Sequence, residues 1–506
     1  VYLISNLAEL LWISEQNKSS TSWADDKIFL QTQDIDASPT RFWDDDDADD
    51  FSSTGNNEGW LPIGFDGSFD GFYNGDYNKI IGLTFDRTEN KPLGFIAEIS
   101  GQSVDDQSGV VRLGLIDGDY SALISSSSLN KYLGGVIGYA YTTNGTAKLT
   151  DIFFEGKIKD KTASGDRYQI GGLIGGFVPF DESGAIENSY ANVHITGYRG
   201  GGLVGRLSSG NLKNVYARGT FTKGNGGEYN YGGLAENSIP NIDDVSIRYA
   251  YSSFDFINIT NSKIGAIVEE AQEEYDGSGP EKGYFENIYY NSDFGFDAFD
   301  VKDTSDNTYT NIVSVTTTIL KSQQVLSPTG LLSPTIWGQN DAFNDGFPYL
   351  KGWKDFGLSK NGVSNTASSD DAIGEILFND AGTGATISYQ LPSAEYDNQY
   401  FTIDNSTATP TLKINSNGAA QLSSTSTFTI LIKGTTNETP ADVLLRKFIL
   451  PVKDMTSPTV TLVSNDSDNL LNASSTVTIT ATFSKAMNNY PTISIGNGIS
   501  NTVMTS

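Results

Sequence analysis

Two periodicities run along this chain. Within short stretches apolar and polar residues alternate, as in Ala191-Asn192-Val193-His194-Ile195, where Ala191, Val193 and Ile195 share one face. A period of two marks a strand with one face toward a core. Over longer distances a Gly-Gly-apolar signal returns at Gly134-Gly135-Val136, Gly171-Gly172-Leu173 and Gly201-Gly202-Leu203, with weaker copies at Gly232-Gly233-Leu234 and Gly265-Ala266-Ile267. Each copy follows the last by roughly 30 to 37 residues, the length of one solenoid coil with variable loops.

After each Gly signal comes an Asn or Asp ahead of an apolar, often aromatic run. The copies are Asp151-Ile152-Phe153, Asn188-Ser189-Tyr190, Asn214-Val215-Tyr216, Asp244-Val245 and Asn287-Ile288-Tyr289. In a parallel solenoid equivalent positions stack about one strand spacing apart. Asp151, Asn188, Asn214, Asp244 and Asn287 are therefore expected to form a ladder at a tight corner, where Asn and Asp tolerate a left-handed backbone. The Gly pair suits a second corner, or a stretch too crowded for a Cβ.

The fold class expected is all-β: a right-handed parallel β-helix (solenoid) with an N-terminal cap, followed by β-sandwich modules. The solenoid unit covers 1–354, with the cap over 1–64 and a closing segment over 337–354. Trp12, Trp23, Trp43 and Trp60 precede the repeats and Trp337 and Trp353 follow them, which puts the caps at the two ends. The cap holds the best helix candidate, Asn6 to Ile13, opened by Asn6. Residues 355–372 are Ser/Asn/Gly-rich and read as a linker. Residues 373–454 read as the short alternating strands of one sandwich. Residues 456–506 read as an incomplete second, about half of the roughly 100 residues such a domain needs.

The Gly-Gly-Leu-Val/Ile-Gly repeat followed by Asn-x-Tyr resembles the GLUG repeat of bacterial surface adhesins. Tyr2-Leu3-Ile4-Ser5-Asn6-Leu7, Trp60-Leu61-Pro62-Ile63-Gly64 and Asp345-Gly346-Phe347-Pro348-Tyr349-Leu350 are similar to the lead-in and terminator of those solenoids. Ala385-Thr386-Ile387-Ser388-Tyr389 with Tyr400-Phe401-Thr402-Ile403-Asp404 looks like a cadherin-like repeat. Pro458-Thr459-Val460-Thr461-Leu462 with Thr482-Phe483-Ser484-Lys485-Ala486-Met487 resembles a bacterial Ig-like repeat. The resemblance implies a giant surface protein of Bacteroidetes type, exported by a type IX route, secreted to the bacterial cell surface, with further repeats beyond Ser506.

Composition narrows the partners. The 506 residues carry 32 Lys+Arg against 62 Asp+Glu, a net charge of −30. Such a chain repels nucleic acid and anionic lipid. No apolar run reaches transmembrane length, so no membrane insertion is expected. There is no cysteine, which excludes disulfides and thiol chemistry.

Acidic charge suits calcium, which takes six to eight oxygen ligands. The densest cluster is Asp44, Asp45, Asp46, Asp47, Asp49 and Asp50, the candidate calcium site; a solvated loop is the plainer account of the same run. His194, the single histidine, faces outward on the alternation and reads as a surface residue. Lys213, Arg218, Arg199 and Arg206 lie on or near the rungs, and nothing in the sequence groups them with acids. Tyr190, Tyr216, Tyr249, Tyr251, Tyr289 and Tyr290 either form a sugar-stacking stripe or stack inside or at the corners of the solenoid. No nucleophile–base pair or metal motif stands out, and the chain is expected not to be an enzyme. The function expected is a non-catalytic adhesin that displays the solenoid to a glycan or cell-surface ligand. The alternatives are a polysaccharide lyase or hydrolase on a β-helix, and a passive stalk.

If the acidic run holds calcium, EDTA should lower the melting temperature and elemental analysis should find bound calcium. An unchanged melt with no bound metal would remove calcium from the account.

Overall fold

The computed structural model describes residues 1–16, 24, 27–43, 57–101, 108–124, 131–142, 148–162, 168–179, 184–224, 230–238, 244–259, 263–271, 282–302, 307–326, 329–360, 362–393, 395–438, 443–454, 459–464 and 478–484. The alternating stretches stack in parallel as a β-helix with three sheets. The long sheet runs in chain order from Tyr2–Ile4 and Ile28–Gln31 through Phe72–Ile81, Gly109–Leu123, Lys148–Asp160, Ala185–Gly197, Gly210–Lys223, Val245–Ile257 and Gly283–Asn291 to Thr308–Val315. A second sheet stacks short strands from Tyr132–Gly134 to Lys263–Gly265, and a third runs from Ile96–Gly101 to Phe299–Lys302. The inward residues of all three form one core, from Ile4 to Phe299.

Parallel pairing begins at once: Tyr2 pairs with Phe29, and Phe29 with Tyr73. The segment expected to be a separate cap therefore supplies the first strands of the long sheet. Its helix spans Leu7–Gln16 and buries Leu10 and Ile13. The Glu9 backbone N–H donates to Asn6 Oδ1 at 3.0 Å, and the Ser5 N–H donates to Glu9 Oε2 at 2.7 Å. This reciprocal pair satisfies donors that a helix start leaves open.

Both repeat signals have local physical causes. Gly134, Gly171, Gly201, Gly232 and Gly265 stack in register. A Cβ on Gly171 would lie 1.8 Å from the Ile174 carbonyl oxygen, because the chain bends sharply between the second and third sheets. A Cβ on Gly172 would lie 2.1 Å from the Gly202 carbonyl oxygen and 2.7 Å from Val193 Cγ1, inside the core. At the other corner Asp151, Asn188, Asn214, Asn287 and Asn311 all hold φ between 50° and 56°. Asn214 Nδ2 donates to Asn188 Oδ1 at 3.0 Å, and Asn311 Nδ2 to Asn287 Oδ1 at 2.8 Å.

Asp244 is not part of that ladder. Tyr251 pairs with Tyr216 and with Tyr289, so the corner residue of the Val245–Ile257 strand is Tyr249, at φ 55°. Asp244 sits at the start of the same strand, where its Oδ1 accepts from the Lys282 N–H at 2.7 Å. An Asx-type loop bond and a corner residue leave the same trace in sequence, which explains the misplacement.

The closing segment is also corrected. It runs back along one flank of the solenoid rather than over its last coil. The Leu331 N–H donates to the Tyr289 hydroxyl at 3.1 Å, Trp337 packs on Tyr251 and Tyr216, and Trp353 meets Phe153 and Tyr77 edge-on. Each successive contact lies on an earlier coil.

Residues 355–372 are not a linker. Asp355–Leu358 and Val363–Ser364 are strands, one in each sheet of a sandwich. Phe356 and Val363 are fully buried in its core, beside Ile376, Leu412, Phe428 and Ile430. Beyond Lys453 the described residues form one antiparallel pair, Val460–Ser464 with Ile479–Phe483.

Gly171→Ala should cost on the order of 2 kcal/mol or more, since its Cβ meets fixed backbone. Gly352→Ala, with only Asp151 Oδ1 at 3.9 Å, should stay within about 0.5 kcal/mol. Denaturant melts of the two variants check the difference.

Candidate functional site

One ladder organises the outer flank of the solenoid. Phe153, Tyr190, Tyr216, Tyr251 and Tyr289 are register partners on successive coils. The first four rings stack at 4.5 to 4.8 Å with interplanar angles of 6° to 8°. Their faces are occupied by each other and their edges by Trp337 and Trp353. The ladder is therefore a packing device and offers no free ring face to a sugar. Burial pushes the Tyr190 and Tyr216 hydroxyls well above the usual tyrosine range.

Two residues further along each strand, the same outward face carries Glu155, Asn192 and Arg218 in register. These form the floor of a cleft of about 820 Å³. The returning segment makes one wall, through Phe343, Asn344 and Asp345. The sandwich makes the other, through Asp355, Arg446 and Lys447.

A bulge sets the lower edge. The Gly109–Leu123 strand slips register opposite Glu155/Gly156, and Asp117 is the extra residue, at φ 57°. Bulges re-aim side chains, and Asp117 here meets Lys447 of the sandwich. Arg446 Nη1 lies 3.6 Å from both Glu155 Oε2 and Asp355 Oδ2, with its side chain 20% exposed. Burial works against the Arg446 charge, and Asp355 and Glu155 more than offset it, so the guanidinium stays ionised. The Tyr190 hydroxyl donates to the other Glu155 oxygen at 3.1 Å. Arg218 Nη1 donates to the Asn344 carbonyl at 3.0 Å, and Nη2 pairs with Asp345.

The sandwich is anchored deeper still. Lys79, 1% exposed, reaches Asp355 at 3.6 Å. Asp34 Oδ1 accepts from the Lys79 N–H at 2.7 Å, and its Oδ2 from the Leu445 N–H at 3.1 Å. A single carboxylate so ties two units 411 residues apart.

The residues singled out in sequence are dispersed. Asp44, Asp45, Asp46, Asp47, Asp49 and Asp50 lie outside the described residues. Among the described residues no cluster of three or more acidic or His side chains stands ready for a metal. His194 lies at the surface and bonds Thr220 Oγ1 at 3.0 Å; partial desolvation of the ring, then Lys157, hold its pKa below the usual value. Arg199 pairs with Glu236, Lys213 faces Glu187, and Arg206 Nε donates to Ser208. Of the four cations near the rungs only Arg218 reaches the cleft, where Tyr190 and Tyr216 of the ladder also lie. Asp117, Glu155, Asp355, Arg446 and Lys447 carry no local signal, because three distant segments bring them together.

Among the described residues no helix is long and apolar enough to cross a membrane. No protein-family model matches the chain, and no curated protein matches it. Among solved structures, an IgA1 protease matches 62% of this chain and 21% of its own, at 16% identity and a TM-score of 0.23. The chain thus spans about a fifth of that protein's length. This finding corrects the expectation that the chain is not an enzyme: a matched structure is a protease by name, and the exclusion of catalysis is withdrawn. A likeness this distant assigns no activity to the chain.

Burial pushes the Asp34 carboxyl up to about 6, from 3.8. A raised folded value means the native state holds this proton more tightly than the unfolded chain. Its contribution is therefore complete below about pH 4 and is lost as pH rises through about 6. Denaturant melts from pH 4 to 7 should show the wild type losing stability relative to Asp34→Asn across that window. Parallel curves would refute the assignment.

Proposed function

We propose that this chain belongs to a secreted bacterial surface protein of the adhesin kind, whose solenoid displays binding surface to a glycan or cell-surface ligand. The observation that supports this best is the extended flank. Ten strands stacked in one sheet span on the order of 43 Å. Repetition of this sort builds length and area.

The Gly-Gly-apolar repeats support the same reading through their likeness to GLUG repeats. So do the sandwich behind the solenoid and the antiparallel pair after it, through their likeness to cadherin-like and Ig-like modules of such proteins. The docked sandwich holds the solenoid in a defined orientation, which suits presentation of a surface by a longer chain. Weak sites on many copies would gain strength by avidity.

Binding of the full chain to arrayed neutral and acidic glycans and to cell-surface extracts tests the proposal. Saturable binding, strengthened 10-fold or more when the protein is presented multivalently, is the expected result. Absence of binding to every glycan and surface would overturn it. Release of new reducing ends or peptide fragments during the assay would reassign the chain to catalysis.

A further inference from the structure

We propose that the cleft between the solenoid flank, the returning segment and the sandwich is a binding site for a neutral, hydroxyl-rich carbohydrate. This rests on the glycan-binding reading and adds its place and chemistry.

The charge balance comes first. The chain carries −30 overall, but the cleft lining holds five carboxylates and five cations. An anionic ligand would meet Asp117, Glu155 and Asp355. A cationic one would meet Arg218, Arg446 and Lys447. In a partly buried site either sign is held off by like charges at short range. A ligand that donates and accepts through the same group satisfies both sets, and a sugar hydroxyl does so.

Geometry points the same way. The floor presents a carboxylate, an amide and a guanidinium in sequence, Glu155, Asn192 and Arg218, one coil apart at about 4.8 Å. That is an acceptor, a mixed group and a donor along one line. Adjacent hydroxyls of a pyranose chain can match such a line. Arg446 stands 3.6 Å from both of its carboxylates, too far for a hydrogen bond, and its Nη1 has no hydrogen-bond partner in the protein. The indole Nε1 of Trp353, on the returning segment, is likewise unpartnered in a residue 5% exposed. A buried donor left without an acceptor is costly, so both walls hold polar capacity that the protein itself does not use. The volume of about 820 Å³ accommodates a short oligosaccharide.

Recognition here is polar. The aromatic ladder is sealed edge-on beneath the returning segment, so discrimination falls to hydrogen bonds. Such sites reject ligands that leave their charged groups unpaired.

The test is titration of the full chain with neutral oligosaccharides and with uronate-containing ones, by calorimetry. Wild type should bind a neutral oligosaccharide in preference to acidic ones. Asn192→Ala and Glu155→Gln should weaken that binding about tenfold, while Lys213→Ala, exposed and outside the cleft, leaves it unchanged. Thermal melts certify each variant as folded. Tyr190→Phe, which removes only the hydroxyl that bonds Glu155, replaces any variant that melts early. Equal neutral-glycan binding by wild type and the cleft variants would overturn the site and leave the glycan-binding reading standing. Preference for acidic oligosaccharides would overturn the ligand class. Absence of binding to any glycan would overturn both.

Discussion

Each coil of the solenoid has to land on the register of the coil before it. In a parallel sheet a slip of one residue turns every inward side chain outward. The corner residues guard against that slip. Asp151, Asn188, Asn214, Asn287 and Asn311 each adopt a left-handed backbone that most residues avoid, and the asparagine amides bond from coil to coil. Once that corner is pinned, Phe153, Tyr190, Tyr216 and Tyr251 fall at a separation that stacks their rings. Glu155, Asn192 and Arg218 then align two positions later. The cleft floor is thus a consequence of the corner.

Tyr249 shows how much the register itself contributes. It takes the left-handed corner without an Asn side chain, at φ 55°, a conformation unfavourable for a bulky residue. Tyr251, two positions on, stacks on Tyr216 and donates its hydroxyl to the Pro348 carbonyl at 2.7 Å. The surrounding coils hold Tyr249 in place. A corner that is over-determined by its neighbours tolerates one poor residue.

The repeats were legible in the sequence because their causes are local. A Gly is needed where a Cβ would meet the carbonyl three residues later, and an Asn where the chain turns left-handed; both recur at coil length. Asp244 was misplaced for the same reason, since a short local motif can serve a loop as well as a corner. The returning segment left no such trace, because its partners lie one to several coils back in space and far away in sequence. Residues 355–372 read as a linker on their Ser, Asn and Gly content. Phe356, Leu358 and Val363 inside that stretch are at most 4% exposed, and three apolar positions were enough to commit it to a core. For the site, Arg218 stands in the sequence only as a cation near a rung. Its acidic surroundings come from other segments and could not be seen from its own strand.

The acidity of the chain and the neutrality of the cleft have one explanation in where charge can be tolerated. Scattered over a long exposed surface, excess carboxylates are solvated and screened, and they keep such a surface soluble. At the junction of solenoid and sandwich water is partly excluded, and an unpaired carboxylate would be expensive. Lys79, Arg446 and Lys447 answer Asp34, Asp355, Glu155 and Asp117 there, at distances that join the two units. Arg446 spans two carboxylates without bonding either closely. The same cation therefore holds the sandwich against the solenoid and lines the cleft wall. Docking and recognition are in this way built from one set of charges, and a change that weakens either is expected to be felt in the other.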